Sequence, residues 1–228
     1  MSSSTGTQTS ENQNLLKKDA IIIFIKNPQL GKVKTRLAAT VGNERALEIY
    51  HLLMQHTKAI TKPLIDIDKY LFYSDFVDEK DIWGNTEYHK SVQFAGQDLG
   101  LKMAEAFVET YHQKHAKALI IGSDCLELNQ DIITDAYRQL STNEVVIGPA
   151  FDGGYYLIGF NFELIGEASE EVLRQIFWNK EWSHERVGQE AIETCKEMNL
   201  RYFLLPTLTD VDEEKDYLKT QHLALKAN

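Results

Sequence analysis

Leu119-Ile120-Ile121-Gly122-Ser123-Asp124-Cys125-Leu126-Glu127-Leu128 is the stretch on which the architecture turns. Ala118 to Ile121 is an unbroken apolar run, and it stops at a turn of small residues carrying one carboxylate. A strand wetted on one face alternates apolar and polar residues; one covered on both faces does not. The run therefore predicts a buried strand in a sheet with helices on either side. In open α/β sheets ligands lie outside the carboxyl ends of such strands, which puts Asp124 where a ligand or a metal ion is held. Asp also favours caps and bends, so the same residue reads equally well as a cap on the following turn.

Upstream, Ala20 to Ile25 repeats the pattern with β-branched residues and predicts a second covered strand. It runs into Lys26-Asn27-Pro28-Gln29-Leu30-Gly31-Lys32-Val33-Lys34-Thr35-Arg36-Leu37, where Pro28 and Gly31 break the strand and helical character begins at Thr35. Lys26, Lys32, Lys34 and Arg36 cluster in this one loop although the formal net charge of the chain is -10. A first strand-to-helix loop with free N–H groups and local positive charge suits an oligophosphate. It is not a P-loop: Val33 follows Gly31-Lys32, and no glycine precedes at the required offset. The glycine fingerprint of dinucleotide-binding folds is also missing.

Further along, Asn43 to Thr61 has helical apolar spacing with Asn43 as its expected cap, and His51 and His56 read as surface residues. Lys69 to Ser74 and Val92 to Phe94 predict two more strands. Asp98 is the expected N-cap of a helix reaching His115, and Gly100, a poor helix former, leaves room for a ligand or another backbone. A helix over 131–140 follows, then strands over 145–149 and 155–160 joined by the tight turn Asp152-Gly153-Gly154, with Tyr155 and Tyr156 on opposite faces. Helices over 169–176 and 185–198 flank an aromatic loop from Trp178 to His184. A last strand, Arg201 to Leu205, leads to Asp210-Val211-Asp212, where Asp212 is a natural cap for a helix ending near Leu218. Strand and helix alternate throughout, which indicates a doubly wound α/β domain.

Composition narrows the function. With 43% hydrophobic and 25% charged residues in 228 positions, the chain fits one globular domain with a substantial core. The acidic balance argues against a nucleic-acid binder, and no apolar run is long enough to span a membrane. Two cysteines, Cys125 and Cys195, exclude a disulfide scaffold and a thiolate zinc site; Cys125 reads as a packed thiol. Residues 1–18 are rich in Ser, Thr, Gln and Asn and read as a mobile tail, neither signal nor transit peptide, leaving 19–228 as the domain and the cytoplasm as the expected location.

Taken together and in order, the basic loop, Gly122-Ser123-Asp124-Cys125 and Gly148-Pro149-Ala150-Phe151-Asp152-Gly153-Gly154-Tyr155-Tyr156-Leu157-Ile158-Gly159 resemble a family of small bacterial glycosyltransferases that includes the DUF2064 proteins. The Gln97 to Met103 segment, Trp182-Ser183 and Asp210-Val211-Asp212 resemble further blocks of that family, so the likeness spans nearly everything from Ala20 to Leu218. Two departures stand out: Leu126 where the family has Pro, and His184 where it has Thr.

The resemblance implies a single-domain GT-A-like (nucleotide-diphospho-sugar transferase) fold, an α/β sandwich on a mostly parallel sheet. It implies a metal-dependent glycosyltransferase acting on a nucleotide-diphospho-sugar and an unknown acceptor. Lys26, Pro28, Gly31, Lys34, Thr35, Arg36, Asp98 and Gly100 would then line the nucleotide site. Asp124, Asp210 and Asp212 would hold Mg²⁺ or Mn²⁺, since hard cations take carboxylate oxygens together with substrate phosphates. Asp124, Asp152 and His184 are the candidate catalytic residues, the last two as general base. Lys34-Thr35-Arg36-Leu37 and Asp210-Val211-Asp212 also resemble guanylyltransferases of phospholactate-type acids, which release pyrophosphate from a nucleoside triphosphate. Nucleotidyl transfer, or nucleotide binding without catalysis, therefore stands as the alternative.

Overall fold

The computed structural model describes residues 17–96, 98–178, 180–182 and 184–224. The expected tail falls mostly outside them. Lys17 and Lys18 lie inside: the Lys18 carbonyl accepts from Ala116 N–H at 3.1 Å, and the two ammonium groups meet Glu163 at 3.3 Å and Asp68 at 3.2 Å.

In chain order the elements begin with β1 (Asp19–Ile25), α1 (Thr35–Val41), α2 (Asn43–Thr61), β2 (Ile67–Tyr73) and β3 (His89–Val92). Next come α3 (Leu99–His112), β4 (Lys117–Ile121), α4 (Gln130–Gln139), β5 (Val145–Pro149) and β6 (Tyr155–Asn161). The chain then forms a single-turn helix α5 (Phe162–Ile165), α6 (Ser169–Phe177), α7 (Val187–Glu197), β7 (Tyr202–Leu204) and α8 (Glu214–Ala224).

The strands form one seven-stranded sheet in the order β3-β2-β1-β4-β6-β5-β7. β6 runs antiparallel to β4 and β5; all other pairs are parallel. The carboxyl ends of β1, β2, β4 and β5 thus share one edge of the sheet, and β6 starts there.

The apolar runs are continuous because alternate residues enter two separate cores. Ile21, Ile23, Ile25, Leu119 and Ile121 pack with Ala46, Leu53, Ile133 and Ala136 of α2 and α4 on one face. Ala20, Ile22, Ala118 and Ile120 pack with Phe107, Leu173, Phe177 and Cys195 of α3, α6 and α7 on the other. Tyr155 and Tyr156 divide as expected, the first donating toward Met103 Sδ and the second to the Pro206 carbonyl at 3.0 Å.

Four local expectations are corrected. The third strand lies three residues earlier than the apolar Val92 to Phe94 suggests. It is a polar edge strand screened by an excursion that buries Trp83 and Tyr88 and holds Lys90 on Asp81 and Asn85, both at 2.9 Å. Asn43 is the first helical residue, not the cap; Gly42, at φ 85, ends α1 and starts α2. His56 is buried, its Nε2 at 2.8 Å from the Leu128 carbonyl, because α2 lies against the loop after β4. Asp212 does not cap α8, which runs on to Ala224; Asp216 reaches back instead to the N–H groups of Asp212 and Glu213 at 3.3 and 2.9 Å.

Candidate functional site

Where β1 leaves the sheet, the basic loop is tied down before it begins. The Tyr50 hydroxyl accepts from Lys26 N–H at 2.8 Å and donates to the Lys26 carbonyl at 2.9 Å, and lies 3.3 Å from Ser123 Oγ. Asn27, 3% exposed, donates from Nδ2 to the Phe76 carbonyl at 2.8 Å and accepts at Oδ1 from Asp75 N–H at 3.0 Å. That one amide staples the ends of β1 and β2 together. The loop turns through Gly31 at φ 74 and Lys34 at φ 48, and the Lys34 carbonyl then accepts the first helical bond of α1, from Ala38 N–H at 2.8 Å. A left-handed lysine costs roughly 1–2 kcal/mol, so its neighbours must hold it there. Val33 and Leu37 are buried on either side, and the Lys34 side chain is only 6% exposed.

The Lys34 ammonium lies 3.0 Å from Asp124 Oδ1 and 3.2 Å from Asp212 Oδ1. Burial alone would lower its pKa, but the two carboxylates outweigh that and raise it, so the group stays charged. Arg36 follows on the surface, with Nη1 3.5 Å from Asp212 Oδ2 and Nη2 2.7 Å from Glu213 Oε1. Lys26 and Lys32 are exposed and enter no ion pair among the described residues. Pro28 lies partly buried in the loop, and Thr35 is exposed at the first position of α1.

Segment 208–212 is threaded between the ends of β4 and β5 by backbone bonds. Leu208 N–H donates to the Pro149 carbonyl at 3.1 Å, Thr209 N–H to Glu127 Oε2 at 2.6 Å, and Val211 N–H to the Asp124 carbonyl at 2.8 Å. Val211 is fully buried, which fixes Asp210 and Asp212 on either side of it. Burial drives the Asp210 carboxyl up to about 8; the charge of Asp124 adds to this, Lys34 partly offsets it, and Asp152 and Asp212 contribute further repulsion. Asp124, Asp152 and Asp212 thus all lie near enough to Asp210 to act on its charge, at the carboxyl edge of the sheet. The Cys125 thiol beside it is pushed well above its ordinary range by burial and by Asp210, in keeping with a packed thiol and not a nucleophile.

This shift has a measurable consequence. From about pH 4 to about pH 8 the folded protein keeps a proton on Asp210 that the unfolded chain releases, so stability falls as pH rises across that window and levels off above it. Asp210→Asn removes the slope. The variant is expected to melt within a degree or two of the wild type at pH 5 and several degrees above it at pH 9. Melting curves that stay parallel from pH 5 to pH 9 would show that Asp210 titrates normally.

The turn after β5 projects at the same edge. Gly153 N–H donates to the Ala150 carbonyl at 3.0 Å, and Gly154 N–H to Asp152 Oδ1 at 2.9 Å, which orients that exposed carboxylate. The turn is bolted to the start of α7 by Gly188 N–H, which donates to the Gly153 carbonyl at 2.9 Å. His184 lies just upstream of this junction, but both its ring nitrogens are engaged: Nδ1 accepts from Arg186 N–H at 3.2 Å, so Nε2 carries the proton and donates to the Glu181 carbonyl at 2.9 Å. Neither nitrogen is open to an acceptor hydroxyl in this arrangement. Asp98 caps α3 through Leu101 N–H at 2.9 Å. Beside Gly100 there is protein and not open space, since an added Cβ would run into the Phe177 carbonyl and the Trp182 ring. Of the two reasons a glycine suits that position, close approach of another backbone is the one realised.

A divalent ion, implied by the resemblance, can be tested against this donor set. Asp124 and Asp212 each turn an oxygen toward one cationic point, the Lys34 ammonium. Among the described residues no three Asp, Glu, His or Cys side chains close around a common point. Two carboxylates completed by substrate phosphates and water fit Mg²⁺ or Mn²⁺; an all-protein cage would need more ligands than converge here.

Sequence reasoning gave no role to Asn27, Tyr50 or Glu127, which position the loop and the 208–212 segment. Their signal was weak: each is a common residue whose partner lies far along the chain.

Comparison with solved structures places the fold. The chain superposes with a TM-score of 0.76 and 25% identity on a protein of Desulfovibrio desulfuricans G20 provisionally assigned as a nucleotide-diphospho-sugar transferase, covering 93% of this chain and 99% of that one. It also superposes on the 4-diphosphocytidyl-2C-methyl-D-erythritol synthase of Anaerococcus prevotii DSM 20548 (TM-score 0.59, 11% identity, 90% and 95% covered). A cytidylyltransferase from Leptospira borgpetersenii gives a TM-score of 0.53 at 13% identity, covering 88% and 84%. These likenesses establish a nucleotide-diphospho-sugar transferase fold. No curated protein matches the sequence significantly. Residues 59–180 match the family model of uncharacterized proteins conserved in bacteria named DUF2064, and since the match takes in more than half of the 228 residues, the chain belongs to that family.

Proposed function

We propose that the protein is a metal-dependent glycosyltransferase that takes a sugar from a nucleotide-diphospho-sugar. One observation carries this reading: a buried cation, Lys34, joins Asp124 and Asp212 at the carboxyl edge of the sheet, in the same loop as the exposed Lys26 and Lys32. Cations for the diphosphate and carboxylates for its counter-ion thus meet at the place where open α/β sheets bind ligands.

In this reading the loop over 26–36 receives the diphosphate. Its exposed ammonium groups and the N–H groups at the start of α1 stabilise negative charge on the departing nucleoside diphosphate. Asp124 and Asp212 would hold Mg²⁺ or Mn²⁺, with Asp210 close behind, and the ion when bound would supply Lewis-acid stabilisation of the leaving group. Asp152 is the general base of choice over His184: its carboxylate is exposed and oriented by Gly154 N–H, whereas both nitrogens of His184 are occupied. Gly188 N–H, bonded to the Gly153 carbonyl, holds the Asp152 turn against the start of α7, and the acceptor would approach beside that junction.

Nucleotidyl transfer on the same fold predicts different products. Incubation with a panel of nucleotide sugars and nucleoside triphosphates, with and without Mn²⁺, separates the readings. Sugar transfer releases a nucleoside diphosphate, nucleotidyl transfer releases pyrophosphate, and a pure binder releases neither. Pyrophosphate from a triphosphate, with no diphosphate from any nucleotide sugar, would sink the glycosyltransferase reading.

A further inference from the structure

The Lys34 side chain is in an unusual position for a phosphate-binding lysine. Of its three donors, two are spent on the carboxylates that would hold the metal ion. Its backbone is fixed at φ 48 and by the bond from Ala38 N–H, so the four-carbon stem is the part free to swing. An ammonium bonded at 3.0 and 3.2 Å and a divalent ion at about 2.0–2.2 Å compete for the same two oxygens. Their charges repel, and an oxygen that holds the ammonium has less negative charge to offer the ion. For the ion to bind tightly the ammonium must leave, and a cation this buried leaves only toward another anion.

We propose that Lys34 is a tethered counter-cation that holds the metal position between Asp124 and Asp212 and yields it only when nucleotide phosphates take up the ammonium. Divalent ion and nucleotide are then mutual positive effectors. Without nucleotide, the ion competes against a covalently attached rival; with it, the lysine has a new partner and the carboxylates are released. Linkage requires the effect to be reciprocal, with the ion tightening nucleotide binding by the same factor. The device also keeps Asp124 and Asp212 paired with a cation until the ion arrives. The inference rests on the reading of Asp124 and Asp212 as metal ligands.

The test is binding of Mn²⁺, followed by the spin-resonance signal of the free ion, with and without a saturating nucleoside diphosphate. Wild type is expected to bind Mn²⁺ alone weakly and roughly tenfold or more tighter with nucleotide. Phosphate oxygens on the ion would produce some coupling by themselves, so the decisive arm is the neutral variants. Lys34→Met and Lys34→Gln are expected to bind Mn²⁺ alone about tenfold tighter than wild type and to lose most of the nucleotide enhancement. Lys34→Arg, which keeps the charge, is expected to stay weak for Mn²⁺ alone. A lysine that merely braces the carboxylates would give the opposite sign, weaker Mn²⁺ binding on its removal. If the neutral variants bind Mn²⁺ no tighter than wild type while wild type still forms the ternary complex, the counter-cation role is wrong and the proposed function stands. If Mn²⁺ binds wild type equally well with and without nucleotide, the coupling is absent and the inference fails. If wild type binds neither Mn²⁺ nor nucleotide, the functional reading fails and takes this inference with it. Should both neutral variants unfold, the Arg variant decides: Mn²⁺ binding alone as tight as in the ternary complex overturns the role.

Discussion

Asp124→Asn is expected to weaken Mn²⁺-dependent nucleotide binding by about 10- to 100-fold, the equivalent of losing one charge-assisted contact, while leaving the protein folded. Asparagine matches aspartate in size and as a cap, so the substitution isolates the charge. The structure removes the capping explanation in any case: α4 begins after Asn129, whose side chain accepts from Ile132 N–H, and the Asp124 side chain goes to Lys34. What the backbone of residue 124 contributes, the bond from Val211 N–H to its carbonyl at 2.8 Å, survives the substitution. Lys34 keeps its bond to Asp212 at 3.2 Å, so the melting temperature without added metal should fall only modestly. Calorimetric titration of the wild type's preferred nucleoside diphosphate, with Mn²⁺ and with a chelator, reads the effect directly. Wild-type metal dependence in the variant would mean that Asp124 does not hold the ion, whatever the reaction is.

The parts of the fold that could be read in advance are those whose environment leaves a mark on composition. β1, β4, β5 and β6 are covered on both faces, so each is a run of apolar residues that no helix period explains. Edge strands leave no such mark. β3 is His89–Val92, two of whose residues are exposed, and its pairing with Tyr70 to Tyr73 depends on an excursion whose buried Trp83 lies outside the strand altogether. α8 outlasts its expected end because its charged positions dilute the apolar stripe; Thr220 and Ala224 are buried, but neither is a strong hydrophobic signal. His56 was misplaced for a related reason: a single polar residue on an amphipathic helix says nothing of a carbonyl 72 residues away that will meet it.

At the site, residue types were legible and partnerships were not. Asp124 could be placed at the sheet edge because it follows a strand at its carboxyl end, whereas Asp210 and Asp212 joined it only through the family resemblance. Lys34 could be placed in a basic loop at the same edge. That the lysine would turn inward to Asp212, 178 residues away, depends on the loop backbone entering the left-handed region at residue 34. Nothing in a Val33-Lys34-Thr35 tripeptide announces a conformation that lysine seldom adopts. The consequence is chemical: a group that reads as a free phosphate ligand is paired with two carboxylates.

Gly153→Ala should be among the most damaging single substitutions outside the core, at about 3 kcal/mol or more. Two costs add. Residue 153 has φ +92, where any side chain is strained by roughly 1–2 kcal/mol. An alanine Cβ would also be driven into the carbonyl carbon and oxygen of Glu185, which are backbone and cannot rotate away. Relief requires the Asp152 turn and the start of α7 to separate, which breaks the bond from Gly188 N–H to the Gly153 carbonyl and lets the carboxylate of Asp152 lose its orientation. Gly84→Ala supplies the control, since Gly84 has φ +77 with no atom within 4 Å of an added Cβ; it carries the conformational strain without the collision. Urea denaturation of the two variants should therefore differ by about 2 kcal/mol, with Gly153→Ala the less stable and its 178–188 connection the more readily cut by protease. Equal stabilities would show that the turn and α7 do not press together as closely as their backbones indicate, and the case for an acceptor entrance built on that junction would go with them.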